Sequence, residues 1–265
     1  MTAGTETQPA ETAPEKSSKP APESTFREYV ESLLVTVVLA LFGTTFIVQA
    51  FKIPSQSMEP ALLVGDHLLV NKFIFEGRGA WYDHLLPYRN IRHGDIIVFK
   101  FPYQDHPHYV KRAIGLPGDR IKIVNQQVYV NDVPQKEPYV IHDPSAADPF
   151  GSNFPPKHQD FSYASLQPEW ADQIEKHVVN GELVVPPNEY FAMGDNRDHS
   201  WDSRYWGFVD RNAIMGRPVI IYWSVRASSD DYEDGEANGG TNSVLYILLH
   251  FPSETRWSRM FHEVH

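Results

Sequence analysis

Cysteine is absent from this 265-residue sequence, and its absence excludes several kinds of site at once. Without a thiol the chain can form no disulfide, no thiolate metal site and no cysteine nucleophile. Basic residues are also scarce: 23 lysines and arginines stand against 34 aspartates and glutamates, which gives a formal net charge of −11. Because a chain this acidic repels a phosphate backbone, we expect no nucleic acid partner.

Long apolar stretches are scarce as well, and the one that reaches membrane-spanning length lies near the N-terminus. Residues 32–51 carry no charged side chain, and about 20 such residues span a hydrocarbon core as a helix. We therefore predict one transmembrane helix over residues 27–52, preceded by a disordered tail at 1–26. The alternatives are a buried helix of a soluble core and a cleavable signal peptide, although residues 49–54 lack the small-residue pattern of a cleavage site.

Basic residues flank the predicted anchor asymmetrically. Lys16, Lys19 and Arg27 precede it, whereas Lys52 is the only basic residue over positions 52–71. Basic flanks are retained on the cytoplasmic side of a membrane. The pattern therefore favours a single-pass protein whose C-terminal domain lies outside the cytoplasm.

Beyond the anchor the sequence changes to the short apolar runs and two-residue alternation of buried strands. We predict a mostly β fold, with an antiparallel sheet domain over residues 53–226 that contains an inserted lobe at about 126–182. Residues 227–265 are predicted to form an acidic loop and a C-terminal segment whose apolar part is too short to cross a membrane. The predicted strands lie at residues 62–70, 95–101, 109–114, 182–185, 190–193 and 219–223, with a hairpin at 121–131 around Asn125-Gln126 and a short helix at 169–179.

Two short stretches contain residues that could carry chemistry together. Ser55 and Ser57 follow the anchor directly, although two serines alone could merely cap a turn. In the strand predicted at 109–114, alternation places Lys111 and Arg112 on opposite faces, so a cation is buried whichever face packs. A buried arginine stays charged and needs a carboxylate, whereas a buried lysine can lose its proton and act as a base. A solvated strand residue is the alternative for Lys111.

A third stretch, at residues 193–207, follows a predicted strand and alternates Asp, Arg, Ser and Asn around two tryptophans. Asp and Arg can pair through two hydrogen bonds, and Ser and Asn can satisfy backbone groups. This composition predicts a rigid loop that could orient a lysine. A purely structural role for the loop is an equal alternative.

In this order, the motifs resemble bacterial signal peptidase I, the leader peptidase, from about Tyr29 to Trp223. The resemblance implies a mostly antiparallel β fold and a serine–lysine endopeptidase. Such an enzyme removes signal peptides from exported preproteins at the outer face of the plasma membrane, cutting after small residues without a cofactor or metal. The matching motifs are Ser55-x-Ser57-Met58-x-Pro60, Gly65-Asp66, Gly94-Asp95-Ile96-Ile97-Val98-Phe99, the stretch at 109–119, and Gly194-Asp195-Asn196-Arg197-Asp198 through Gly207.

The resemblance also assigns roles to individual residues of the 53–226 domain, which it makes the catalytic domain. Ser57 matches the nucleophile and Lys111 the general base. The Ser55 hydroxyl and the Ser57 backbone N–H match an oxyanion hole, and Ser200 matches a serine that hydrogen-bonds the lysine. Four further residues match groups that support the site, namely the ion pair of Asp202 with Arg204 and the neighbouring frame of Asp195 and Arg197.

Some positions depart from the family pattern, and two other functions stay open. His199 stands where asparagine is common, and Ala61 where threonine is common. The histidines at 262 and 265 lack the spacing of a zinc protease, and we predict that they bind no metal. The alternatives are a serine–lysine protease with one dedicated substrate, such as a pilus or transfer-protein processing enzyme or a self-cleaving repressor, and a silent membrane-tethered scaffold. An anchor argues against the repressor, and the retained serine and lysine argue against the scaffold.

Overall fold

A computed structural model describes most of the chain in two compact units, one ending at Phe42 and one beginning at Gly43. The described residues are 25–43, 48–75, 88–101, 103, 108–146, 150–156, 166–226 and 252–265. The helices are α1 (Thr25–Phe42), α2 (Pro168–Ala171) and α3 (Ser203–Trp206). The strands are β1 (Val48–Lys52), β2 (Asp66–Asn71), β3 (Ile96–Lys100), β4 (His108–Gly115), β5 (Arg120–Val124), β6 (Gln127–Val130), β7 (Val133–Pro134), β8 (Asn153–Phe154), β9 (Val178–Val179), β10 (Glu182–Val184), β11 (Glu189–Met193), β12 (Val209–Asp210), β13 (Ile214–Ser224) and β14 (His262–Glu263).

The first unit contains helix α1, whose side chains are all exposed. Within the residues that the structure describes, no helix combines the length and apolar content needed to cross a membrane. The predicted helix at 27–52 extends too far, because its last five residues form strand β1 and pair with β2 from Val48↔Asn71 to Lys52↔His67. An uncharged run does not by itself distinguish a helix from an apolar strand. Residues 48–52 are extended here because they pair with β2, which lies further along the chain. Nearly all of the predicted tail lies outside the described residues.

The second unit is built on a larger antiparallel sheet that, within the described residues, has eight strands. Their order is β1-β2-β13-β3-β4-β11-β12, with β14 paired to β13. The prediction of a mostly β, antiparallel domain is confirmed. The long strand β13 lies between β2 and β3, so it joins the N-terminal hairpin to the strands that follow.

Strand β3 separates two hydrophobic clusters. Ile97 and Phe99 belong to the larger cluster, and Ile96 and Val98 to the smaller one. Each of these four side chains is at most 1% exposed, and burial of such a side chain stabilises the fold by about 1.5–3 kcal/mol. A strand buried on both faces explains why this stretch is continuously apolar instead of alternating.

A smaller sheet forms the lobe, with the order β7-β6-β5-β10-β9 and β8 on β5 among the described residues. It begins at Arg120, earlier than the predicted boundary at 126, because β5 pairs with β6 and β10 and not with the larger sheet. The predicted hairpin is present, and Asn125 and Gln126 have φ values of 50° and 68°, as a tight two-residue turn requires.

The short helix predicted at 169–179 is divided in the structure. Helix α2 stops at Ala171, a 3₁₀ turn spans Ile174–His177, and β9 follows. Two β-branched residues, Val178 and Val179, favour the extended form at this end. The predicted acidic loop and the apolar stretch at 243–251 lie outside the described residues.

Candidate active site

Ser57 lies on a closed loop between β1 and β2. The backbone N–H of Ile53 donates to the carbonyl of Asp66 (2.9 Å), and that of Gly65 donates to the carbonyl of Ile53 (2.9 Å). Gly65 has φ +89°, and a Cβ there would lie 2.1 Å from the carbonyl oxygen of Val225, so this neck of the loop requires glycine. The loop carries a 3₁₀ turn at Gln56–Met58 that holds Ser57 at its centre.

Strand β4 brings Lys111 to this serine. Lys111 is 3% exposed, and its Nζ lies 2.6 Å from Ser57 Oγ. Ser55 Oγ lies 3.4 Å from Ser57 Oγ. The structure thus brings together the three residues proposed as nucleophile, base and oxyanion donor.

The environment of Lys111 shifts its protonation equilibrium toward the neutral form. Burial is the main cause that lowers the pKa of Lys111 to about 8 from 10.5, and Arg204 lowers it further, while Asp202 and Asp195 oppose both. At pH 7 roughly one amine in ten is then neutral, compared with about one in a few thousand for an ordinary lysine. This shift makes Lys111 usable as a base near neutral pH.

Asp202 and Arg204 form the predicted ion pair, and both are fully buried. The Nε and a terminal nitrogen of Arg204 donate to the two carboxylate oxygens of Asp202 at 2.8 and 2.9 Å. Burial alone would raise the pKa of Asp202, but Arg204 and Lys111 hold it below its usual range. Asp202 also accepts a hydrogen bond from the Gly194 N–H (3.1 Å), so the pair fixes the loop beside Lys111.

Asp195 and Arg197 both contribute to the frame, but they do not pair with each other. Arg112 donates to both carboxylate oxygens of Asp195, at 2.8 and 2.6 Å. Arg197 instead pairs with Glu137 of the lobe (2.5 Å) and donates to the Gly194 carbonyl (3.1 Å). Asp195 is therefore the carboxylate that a buried Arg112 was expected to need. Since Lys111 is buried as well, both faces of β4 carry a buried cation.

Sequence reasoning missed Asn196, which holds the serine turn from behind. Its backbone N–H donates to the carbonyl of Ser57 (3.1 Å), and its side-chain amide donates to the carbonyl of Gln56 (3.4 Å). Gly194 permits this approach, because a Cβ there would lie 2.4 Å from the Ser57 carbonyl oxygen. Gly194 and Asn196 both lie in the 193–207 stretch, whose composition was already recognised as unusual. Nothing in that stretch, however, indicates that Asn196 binds residues 56 and 57, about 140 positions earlier in the chain.

Ser200 lies beside the site without the predicted hydrogen bond to Lys111. Its side chain is buried, and its hydroxyl has no hydrogen-bond partner among the residues that the structure describes. A Cβ on Gly194 would lie 2.3 Å from this hydroxyl, so Ser200 packs directly against Gly194, which contacts the Ser57 carbonyl on its other side. A buried hydroxyl without a partner is unfavourable in the free protein.

A cleft of about 320 Å³ lies along the serine loop. Its walls come from β1, from the loop that carries the two serines, and from the start of β4, and they are mostly apolar. In the described part of the chain, no group of three or more His, Asp or Glu side chains could hold a metal ion. The lining residues are Phe51, Lys52, Ile53, Pro54, Ser55, Ser57, Met58, His108, Tyr109 and Val110.

A serine hydroxyl held against a buried lysine amine, on the wall of a cleft, is an arrangement suited to nucleophilic hydrolysis. Comparison with known proteins agrees, since the family "signal peptidase, peptidase S26" matches residues 26–223. The chain belongs to this family, and the predicted resemblance is confirmed.

Individual relatives match over most of the chain. Signal peptidase I of Pseudomonas aeruginosa is 33% identical over 220 residues, which cover 74% of this chain and 72% of that protein. Signal peptidase I of Leptolyngbya laminosa is 33% identical over 227 residues, covering 83% and 89% of the two chains. A crystal structure of a signal peptidase I from Enterococcus faecalis V583 is 28% identical, with a TM-score of 0.34 over 49% of this chain and 97% of that one.

Proposed function

We propose that this protein is a membrane-bound serine endopeptidase that removes N-terminal signal peptides from exported preproteins. The observation that carries the proposal is the 2.6 Å contact between Ser57 Oγ and Lys111 Nζ. Burial lowers the pKa of this lysine to about 8, so a useful fraction is neutral near pH 7. Membership of the signal peptidase family supports the reaction class and the kind of substrate.

In the proposed mechanism, neutral Lys111 takes the proton of the Ser57 hydroxyl while Oγ attacks the scissile carbonyl. The tetrahedral intermediate collapses, the C–N bond breaks, and the protonated lysine gives its proton to the departing amine. Lys111 then takes a proton from a water that attacks the acyl-serine ester. Collapse of this second intermediate frees the signal peptide carboxylate and returns the proton to Ser57. The proposed steps need neither a metal nor a cofactor.

The oxyanion of each intermediate needs donors near Ser57. We assign this role to the Ser57 backbone N–H and the Ser55 hydroxyl, whose oxygen lies 3.4 Å from the nucleophile. One such donor typically contributes about 3–4 kcal/mol to the stabilisation of a transition state. We also retain Ser200 as the hydrogen-bond partner of Lys111 during the reaction, since it can turn toward the amine without breaking another bond among the described residues.

The cleft and the neighbouring strand β1 support recognition of an extended peptide. Strand β1 ends the larger sheet and pairs with β2 alone among the described strands. A strand at the edge of a sheet can bind an extended peptide through backbone hydrogen bonds. The adjoining walls include Ile53, Met58 and Val110, so the cleft beside Ser57 is mostly apolar. Cleavage after small residues is what membership of the family implies, and we expect it here.

We place the protein in the bacterial plasma membrane as a single-pass protein with its catalytic domain on the extracytoplasmic side. The uncharged run at 32–51 and the basic residues before it support this placement, as does the family. In this position the domain would meet preproteins as they emerge from the membrane, with the lipid surface as its second partner.

The proposal is tested by incubating the detergent-purified chain with preproteins. Wild type should cut each one once, after a small residue, whereas Ser57→Ala and Lys111→Ala should lose at least about 10⁴-fold in kcat. Lys100→Ala, at an exposed lysine, serves as the matched control. Preproteins left whole by wild type, or cut by either variant, would contradict the mechanism. Cleavage of one preprotein in a panel of several would instead favour a dedicated processing enzyme.

A further inference from the structure

The C-terminal segment, residues 252–265, packs behind the loop that carries Ser57. Its strand β14 pairs with β13, and the N–H of Val264 donates to the carbonyl of Val219 (3.1 Å). Val264 is 4% exposed and belongs to the smaller hydrophobic cluster, which also contains Met58 from the serine turn. The C-terminal segment therefore helps to form the hydrophobic cluster on which the serine turn packs.

Arg259 in this segment connects two points of the serine loop. Its Nε and a terminal nitrogen donate to the Asp66 carboxylate at 3.2 and 2.6 Å, and the same terminal nitrogen donates to the Ala61 carbonyl at 3.0 Å. Asp66 is fully buried and also accepts from the Leu63 N–H (2.8 Å) within the loop. The Arg259 guanidinium thus connects Asp66, at the neck of the loop, to Ala61, which lies four residues after Ser57.

The segment also reaches the strand that carries the lysine. A terminal nitrogen of Arg112, the neighbour of Lys111, donates to the carbonyl of His265 (3.3 Å). The C-terminal segment therefore contacts both stretches whose meeting gives the 2.6 Å distance between Ser57 and Lys111.

We propose that Arg259 is a positioning residue that holds the Ser57 loop in register with Lys111. The kinetic part of this inference rests on the proposed function, while the structural part does not. A displacement of about 1 Å between reacting groups can cost about 100-fold in rate, so a loosened loop would lose activity with its chemical groups intact. A planar, forked guanidinium can serve a carboxylate and a carbonyl together, which an ammonium on a flexible stem does poorly.

The structural part is tested by amide hydrogen exchange on the full chain in detergent. In Arg259→Gln, peptides covering residues 55–66 should exchange about tenfold faster than in wild type, while peptides of the β5–β6 hairpin keep their rate. Arg92→Gln, at an exposed arginine, is the matched control and should leave both regions unchanged. Unchanged exchange at 55–66, or equal acceleration everywhere, would overturn the proposal whether or not the protein is a peptidase.

The kinetic part is tested with the same variants and a preprotein. Arg259→Gln should lower kcat roughly 10- to 100-fold with little change in KM, at a temperature well below its Tm, and Arg259→Lys should recover only part of the loss. The double variant Asp66→Asn/Arg259→Gln removes both charges, so its Tm should return toward wild type while kcat stays low. Recovery of wild-type kcat in the double variant would reduce Arg259 to a charge-balancing role and overturn the positioning role. Inactive wild type would refute the proposed function, and exchange would still decide the structural part.

Discussion

At the scale of single residues, the proposed chemistry depends on an amine whose ordinary solution pKa is too high for it. In the proposed mechanism Lys111 can act as a base because burial removes its hydration and lowers its pKa. Asp202 opposes this shift, but its carboxylate is paired with Arg204, which itself lowers the pKa of Lys111. The same burial makes the lysine costly to the folded state. Two measurements follow from the pKa of about 8, one on activity and one on stability.

Activity should rise with pH as Lys111 loses its proton. Below an apparent pKa near 8, kcat/KM should fall about tenfold per pH unit, which makes it roughly 50-fold lower at pH 6 than at pH 8. The measurement is kcat/KM for one preprotein across pH 5.5 to 9.5, with the Tm recorded at each pH so that unfolding is not mistaken for titration. A limb centred near pH 10, or no limb, would show that Lys111 is not the titrating base.

Replacing Lys111 with an apolar side chain should abolish activity but increase the stability of the folded state, because the wild-type protein bears the cost of burying a charged amine. The pKa of Lys111 is about 8 in the folded state and near 10.5 when unfolded. Between these values the unfolded chain binds more protons, so the wild type gains stability as pH rises, and below pH 8 the full cost of about 3 kcal/mol applies.

Lys111→Met should therefore be inactive yet more stable than wild type by up to about 3 kcal/mol at pH 7. The gain should shrink through pH 8 to 10.5 and vanish above it. Denaturant unfolding of both proteins at several pH values measures this difference, with Lys100→Met as the exposed control. A variant that is no more stable at pH 7 would show that the buried amine carries no such cost.

At the scale of elements, the site is formed where the 194–204 loop closes on the serine turn. Asn196 hydrogen-bonds the Ser57 carbonyl, Asp202 accepts from Gly194, and Arg204 donates to the carbonyl of Arg197 at 2.6 Å. The contact works only because Gly194 lacks a side chain. A methyl group there would be forced against the backbone of Ser57, the proposed nucleophile.

Gly194→Ala should therefore separate the loop from the turn. The added Cβ would lie 2.3 Å from Ser200 Oγ and 2.4 Å from the Ser57 carbonyl oxygen, so one of them must move. We expect a loss of about 100-fold or more in kcat/KM, measured on a preprotein at a temperature where circular dichroism shows the native sheet. Gly118→Ala tests a glycine with open space around it but a φ of +87°, so it should cost stability and leave kcat nearly unchanged.

Local sequence predicted the elements that local rules control. The β5–β6 hairpin was predicted from its turn residues, because a tight turn does not depend on a remote partner. Strand alternation predicted one buried cation in β4 but not which one, and the structure buries both Lys111 and Arg112. The partner of Arg112 could not be predicted, since several carboxylates in the 193–207 stretch suit an arginine equally and only the folded sheet selects Asp195. Likewise, the apolar run at 32–51 gives no sign that its last residues form a strand, because that strand depends on pairing with β2.

At the scale of the whole molecule, the proposed membrane topology can be tested with unusual directness, because the chain contains no cysteine. Single substitutions to cysteine therefore report one position each. Val133 is 58% exposed on the lobe, and Ser17 precedes the predicted anchor. In intact spheroplasts, a membrane-impermeant maleimide should label Val133→Cys at once and Ser17→Cys only after lysis. The reverse pattern would contradict an extracytoplasmic catalytic domain.

The order of strands in the larger sheet has a consequence for biosynthesis. In the sheet, the strands that flank Ser57, β1 and β2, are connected to β4, which carries Lys111, through β13 and β3, and β13 ends only at Ser224. Until β13 has been synthesised and has paired with β2 and β3, we expect Lys111 to stay hydrated and Ser57 to lack the base proposed for it. We therefore expect the insertion of β13 to be the step that assembles the proposed catalytic pair.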